Sequence, residues 1–252
     1  MTQSIRSRPG PRVALFVTCL TDQFFPRVAV AVTKILEHFG CEVDFPQRQT
    51  CCGQPMYNNG FPAEARELAK RWVEIFREYP YVVSPSGSCC AMVREHYPHL
   101  LNGEDAGMAA KTFEFVEFLQ KVLKVDVSKY ALPAGRKVAY HYTCHLRGLG
   151  IGGQPPRILS QMANVQLMEL ERADQCCGFG GTFAVKYPVV SGAIVEDKTD
   201  CIARSGADTL ICNDAGCAMN IAGMCRRRGM ETRVVHLAEL LAEAMGLDLD
   251  GW

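Results

Sequence analysis

Short apolar runs alternate with longer amphipathic stretches along this chain. Residues 13–17 and 138–142 are apolar runs bounded by polar residues, and each reads as a short buried strand. After the first run, residues 26–39 set Val28, Val32, Ile35, Leu36 and Phe39 at helical spacing, and Gly40 stops the helix. Residues 63–79 read as a second helix with Leu68, Trp72, Ile75 and Phe76 on one face, followed by a strand at 81–83. The same order returns later: helix 156–163, strand 165–170, helix 187–204, strand 209–212. Strands alternating with helices predict an α/β fold with mostly parallel sheets covered by helices.

The cysteines explain why the order returns. Cys19 is followed by Cys51, Cys52 and Gly53, and Cys144 by Cys176, Cys177 and Gly178, at one offset of 125 residues (144 minus 19, 176 minus 51, 177 minus 52). A later cysteine closes each set: Cys89 in Ser86-Gly-Ser-Cys89 and Cys217 in Asp214-Ala-Gly-Cys217, 128 apart. Thr18 and Thr143 precede the leading cysteines, and the apolar segments 115–119 and 237–241 end the two halves alike. The chain is a duplication of two pseudo-symmetric cysteine-rich halves, expected at 12–130 and 136–250, with Pro133-Ala-Gly135 as a turn-rich link.

The repeat also predicts where the cysteines meet. In open α/β sheets the loops beyond the strand C-termini gather at one edge. Cys19, Cys89, Cys144 and Cys217 each follow a strand, and the two Cys-Cys-Gly turns are expected in longer loops at the same edge. Gly53 and Gly178 permit positive φ and close approach of backbone to a bulky group.

Composition narrows the chemistry. With 27 Lys plus Arg against 27 Asp plus Glu, the surface has no long-range attraction for nucleic acid or anionic lipid. Arg226-Arg227-Arg228 reads as a solvated helix end. The basic opening, residues 1–12, leads into only five apolar residues, too few for a signal peptide or a transmembrane segment, so a cytoplasmic location is expected. In a reducing compartment thirteen cysteines point to metal ligation or redox chemistry rather than structural disulfides.

Four thiolates per half suit iron–sulfur clusters or zinc. Structural zinc usually takes two short Cys-x-x-Cys-type knuckles, and neither half has such a pair. Adjacent cysteines fit separate corners of a larger cluster better than one small ion, which favours iron–sulfur. A zinc-stapled assembly module stays as the alternative from another class. A thiol–disulfide enzyme using Cys51-Cys52 or Cys176-Cys177 is disfavoured, because adjacent cysteines make strained disulfides.

The motifs Cys51-Cys52-Gly-Gln-Pro55, Tyr140-His-Tyr-Thr-Cys-His-Leu-Arg147 and Cys176-Cys177-Gly-Phe-Gly-Gly181 resemble the cysteine-rich CCG domain. Tandem copies of that domain occur in the B subunit of heterodisulfide reductase and in iron–sulfur subunits of glycolate and glycerol-3-phosphate oxidising systems. The likeness is greatest to the lactate-utilisation A family, and it runs from Val13 to about Leu247. The resemblance implies a cluster-binding, electron-transfer subunit of a complex oxidising L-lactate to pyruvate, with other iron–sulfur and accessory subunits as partners. A subunit serving glycolate, glycerol-3-phosphate or a heterodisulfide is the nearest alternative, though the ferredoxin domain such chains often carry is missing from this sequence. The fullest form of the motif ends in Cys-x-x-Cys, whereas Ser86 and Asp214 stand at the first of those positions here. Each half therefore keeps four cysteines, enough for one 4Fe-4S cluster: Cys19, Cys51, Cys52 and Cys89 in the first, Cys144, Cys176, Cys177 and Cys217 in the second.

Cys90 and Cys212 are possible substitutes ranked below those eight, while Cys41, Cys201 and Cys225 read as core residues. His145 is either a donor to a cluster sulfur or a proton relay, or a histidine satisfied by a backbone carbonyl. Arg147 either offsets cluster charge or makes a surface salt bridge. The glycines at 178–181 do not form a dinucleotide fingerprint and read as backbone clearance.

Overall fold

The computed structural model describes residues 10–104 and 107–250; the first nine residues of the basic opening lie outside them. Each half builds a four-stranded, all-parallel sheet. The first contains β1 (Arg12–Leu15), β2 (Glu42–Asp44), β3 (Tyr81–Ser84) and β4 (Thr112–Glu114), in the order β2-β1-β3-β4. The second contains β5 (Ala131–Tyr140), β6 (Ala163–Leu167), β7 (Thr209–Ile211) and β8 (Arg233–Val235), in the order β6-β5-β7-β8. The α/β fold of two pseudo-symmetric halves is the one the periodicity predicts. Residues 13–17 are wholly buried, which is why the first central strand and its extension read as an unbroken apolar run.

The amphipathic stretches become the helices Pro26–His38, Pro62–Phe76, Gln154–Gln161 and Pro188–Ser205. Prolines sit in the first turn of all four, where no backbone N–H is needed. The expected turn at Pro133-Ala-Gly135 is corrected by the structure: these residues lie inside β5. Ala131 pairs with Ala163 and Arg136 already with Val165, so the residues between them form a bulge. A bulge accommodates proline and glycine because it removes them from the ladder.

The halves are not packed as separate bodies. The largest apolar core draws on both: Val13, Leu15 and Leu36 with Val138, Ile158 and Leu241. The helix Leu237–Ala244 of the second half lies on Pro26–His38 of the first, and Phe115–Lys121 of the first lies on Gln154–Gln161 of the second. Each half keeps a smaller core of its own, aromatic in the first around Phe16, Trp72, Phe76 and Tyr97.

Two pseudo-equivalent caps open the helices that pack across this interface. Glu114 is fully buried and accepts from the backbone N–H of Val116 (2.7 Å) and Glu117 (3.2 Å), capping its helix; burial pushes its carboxyl up to about 8. His236 caps Leu237–Ala244: Nδ1 accepts from Ala238 N–H (3.0 Å), so Nε2 carries the proton and donates to Pro85 O (3.0 Å) in the other half. Burial pushes His236 down to about 4, which keeps that tautomer neutral.

Candidate metal centre

In both sheets the strand order reverses between the central pair, β1 and β3 or β5 and β7. Such a reversal opens a crevice beyond the strand C-termini. Cys19 opens the helix Cys19–Phe24 after β1, and Cys89 lies in Gly87–Ala91 after β3. Cys144 opens Cys144–Gly148 after β5, and Cys217 lies in the first turn of Ala215–Arg227 after β7. The Cys-Cys-Gly turns enter the crevice from the side, between the second strand of each sheet and the long helix that follows.

All thirteen cysteines are free thiols. In the first half Cys19 Sγ donates to Cys51 Sγ at 3.8 Å and Cys52 Sγ to Cys89 Sγ at 3.3 Å. In the second, Cys177 Sγ lies 3.0 Å from Cys217 Sγ, and Cys144 interacts electrostatically with Cys177 and Cys176. The structure thus brings the eight cysteines together as two sets of four. Each set has a buried floor (Cys52 and Cys89; Cys177 and Cys217) and a rim reaching solvent (Cys19; Cys144 and Cys176).

The glycine after each cysteine pair has a left-handed backbone, φ +85° at Gly53 and +80° at Gly178. That turn aims its N–H at the first cysteine of the pair: Gly53 N to Cys51 Sγ 3.4 Å, Gly178 N to Cys176 Sγ 3.3 Å. The thiols share protons. The hydrogen bond from Cys19, then that from Cys52, holds Cys51 low at about 3, while the same bond and burial push Cys19 up. In the second half Cys177 is the thiol held low, by hydrogen bonds from Cys176 and Cys217, and Cys176 is raised by the same contact. His145 lowers Cys144 through a 3.7 Å Nδ1–Sγ contact and is itself raised by it. Converging thiols with depressed members and N–H donors on sulfur fit a thiolate-bound metal group.

The remaining candidates separate cleanly. Cys90 is buried on the Glu114 side of its helix, and burial raises it well above its ordinary value. Cys212, also buried, does approach the second set: a ring nitrogen of His141 and the sulfurs of Cys212 and Cys217 all lie within 4.8 Å of one another. Cys41, Cys201 and Cys225 belong to the apolar cores. His145 finds no carbonyl among the described residues; its Nε2 meets Gln54 Nε2 of the first half at 3.4 Å. Arg147 bonds Asp174, the surface salt bridge. Ser86 and Asp214, where the fullest motif has cysteine, bond each other across the halves (Ser86 Oγ to Asp214 Oδ2, 3.2 Å). Each also caps the helix carrying its own cysteine. Sequence reasoning missed His141 and Lys198, both buried beside the second set.

A duplicated α/β frame with a four-thiol crevice in each copy defines a tandem cysteine-rich protein. The CCG cysteine-rich domain matches residues 13–94 and again 138–222. The chain is 46% identical over 244 residues to Lactate utilization protein A of Exiguobacterium sp., covering 93% of this chain and 98% of that one. It is 44% identical over 237 residues to Lactate utilization protein A of Bacillus subtilis, covering 91% and 98%. The chain belongs to the lactate utilization protein A family, with two CCG domains. Among solved structures, a hypothetical protein from Helicobacter pylori shares the fold with a TM-score of 0.63 at 10% identity; the match covers 96% of this chain and 52% of that one. No helix among the described residues is long and apolar enough to cross a membrane.

Proposed function

We propose that this chain is the iron–sulfur electron-transfer subunit of a multi-protein complex that oxidises L-lactate to pyruvate in the cytoplasm. The observation that carries the reading is the convergence of four thiols at the same crevice in both halves, in a chain whose relatives are named for lactate utilization. Cys19, Cys51, Cys52 and Cys89 hold one 4Fe-4S cluster, and Cys144, Cys176, Cys177 and Cys217 hold the other. The halves, taken as residues 12–130 and 136–250, are the two cluster domains. The clusters supply one-electron storage and transfer. The protein's own part is to fix the thiolates, to direct the Gly53 and Gly178 N–H groups at sulfur, and to leave Cys19, Cys144 and Cys176 at the surface. There an iron–sulfur partner subunit exchanges electrons, and accessory subunits carry the chemistry on lactate.

The test is iron and acid-labile sulfide content of protein purified without oxygen, with an EPR spectrum after dithionite. About four of each per half, with signal lost in Cys51→Ser and in Cys176→Ser, is the expected result, followed by lactate-dependent cluster reduction once partner subunits are added. Stoichiometric zinc without sulfide would overturn the reading and leave a metal-stapled assembly module.

A further inference from the structure

The two thiol sets are alike, but what surrounds them is not. At the offset of 125 that aligns the leading cysteines, His141 of the second half corresponds to Phe16 of the first, and His145 to Leu20. The long helices align at 126: Gly53 faces Ala65 and Leu68, and Gly178 faces Ser191 and Ile194. At that offset Lys198 corresponds to Trp72. Two apolar side chains and an indole of the first half are thus two imidazoles and a lysine in the second; the indole keeps only a neutral N–H, with Trp72 Nε1 buried and unpartnered among the described residues.

Their settings bear this out. Phe16 packs edge-on against Trp72 (5.6 Å) and Phe76 (5.5 Å), an apolar wall behind Cys52 and Cys89. In the second half His141 is 1% exposed, its Nδ1 has no partner among the described residues, and it sits against Cys177, Cys212 and Cys217. His145 reaches Cys144 Sγ. Lys198 is fully buried and donates to Arg172 O (2.8 Å) and Ala173 O (3.1 Å); burial lowers it to about 8, against the pull of Cys201, Asp174, Cys212 and Cys177, which favour its charge. Asp214 carries the opposite sign to Lys198 but accepts from Ser86 and Ser88 of one half and Gly216 of the other, so it lies between both sets. Gln54, the polar residue peculiar to the first set, turns its amide nitrogen to Ser88 O (3.2 Å) and to His145 Nε2 of the second half (3.4 Å) rather than to a sulfur.

Reducing a cluster held by four thiolates adds one negative charge. N–H donors on sulfur and a buried cation stabilise that charge, and an apolar wall opposes it. We propose that the two sites are redox-inequivalent, with His141, His145 and Lys198 making the second half the higher-potential site, where an electron shared between them comes to rest. The exchange balances: the first site loses one electron, the second gains it, and no atom moves. This rests on the iron–sulfur reading. The crossed packing of Gly87–Ala91 on Cys144–Gly148 and of Cys19–Phe24 on Ala215–Arg227 brings the two sites together for such exchange.

The test is an anaerobic potentiometric titration of the reconstituted full chain followed by EPR, with Cys51→Ser and Cys176→Ser assigning the waves. Two one-electron waves are expected, the higher one lost in Cys176→Ser. His141→Phe should lower that wave alone by at least a tenfold change in electron partition, about 59 mV, at unchanged iron content, and His141→Gln, which keeps a donor, by less. His145→Leu, at a half-buried position where the first half carries Leu20, should act in the same direction. A single wave of double size, a higher wave assigned to the first half, or equal shifts in both waves would overturn the proposal. Absence of iron and sulfide would instead sink the cluster reading beneath it.

Discussion

Gly178 and Gly53 occupy equivalent turns, yet an added methyl meets different surroundings at each. Both have φ near +80°, where an L side chain costs about 1–2 kcal/mol, partly offset by about 0.4–1 kcal/mol because alanine restricts the unfolded chain. At Gly53 the new Cβ would stand 3.3 Å from Ala65 O and 3.4 Å from Leu68 Cβ, contacts that a small shift relieves. At Gly178 it would stand 2.7 Å from Ser191 O, backbone of the helix Pro188–Ser205. That turn cannot retreat freely. Ser191 Oγ donates to Gly178 O (2.8 Å), and Asn220 Nδ2 donates to Cys177 O (2.8 Å). Overpacking of this kind adds about 1–3 kcal/mol. Gly53→Ala is therefore expected to cost about 1 kcal/mol and Gly178→Ala roughly 2–4 kcal/mol, by the same bookkeeping. Urea denaturation of the metal-free protein measures the difference. Iron content after reconstitution should fall mainly in the second half, because the displaced turn carries both Cys176 and Cys177. Equal midpoints for the two variants would refute the argument from Ser191.

Two further outcomes follow from buried groups at the interface. Glu114 is raised from 4.5 to about 8 in the fold, chiefly by burial, so the folded chain holds a proton that the unfolded chain has lost between those values. Its contribution is full below pH 4.5 and is lost as pH rises through about 8. Glu114→Gln should remove a dependence worth a few kcal/mol across that window, seen as a urea midpoint that falls less from pH 6 to pH 8 than in the wild type; parallel curves would refute it. The fragments 12–130 and 136–250, made separately, are expected to lack a cooperative thermal transition by circular dichroism. Each loses half of the core shared by Leu15, Leu36, Ile158 and Leu241, and the second also loses Leu132 of β5. A sharp transition in either fragment would show that the shared core is dispensable.

What the sequence made legible was what repeats or runs long. Four cysteines per half at nearly constant offset located both crevices, and amphipathic stretches of more than a dozen residues located the helices Pro26–His38 and Pro62–Phe76. The edge strands β2, β4 and β8 are three residues each and carry Glu42, Glu114 and Arg233, too short and too polar for an alternation to register. His141 lay hidden inside a run that reads as a strand. Lys198 stands in Glu196-Asp197-Lys198-Thr199-Asp200, which looks solvated although the lysine is wholly buried. Extending the internal alignment beyond the cysteines would have set Trp72 opposite Lys198, so that signal was present. The crossing of the halves was not, because it depends on which helix faces pack, and no local pattern encodes that.

That crossing gives a reason for the two missing cysteines. Ser86 and Asp214 meet each other at 3.2 Å where the halves meet, and Asp214 also accepts from Ser88 N (3.1 Å) and Gly216 N (3.2 Å). A carboxylate accepts all three bonds at once; a thiol is a weak acceptor and leaves buried N–H groups unmet, at about 1–3 kcal/mol each. Asp214 is therefore committed to joining the halves and capping the Cys217 helix, and Ser86 to capping the Cys89 helix (Cys89 N to Ser86 Oγ, 3.4 Å). A fifth thiol at either place would be gained at the expense of the interface that sets both crevices. The four-thiol set of each half and this polar bridge between the halves are thus two consequences of the same pair of residues.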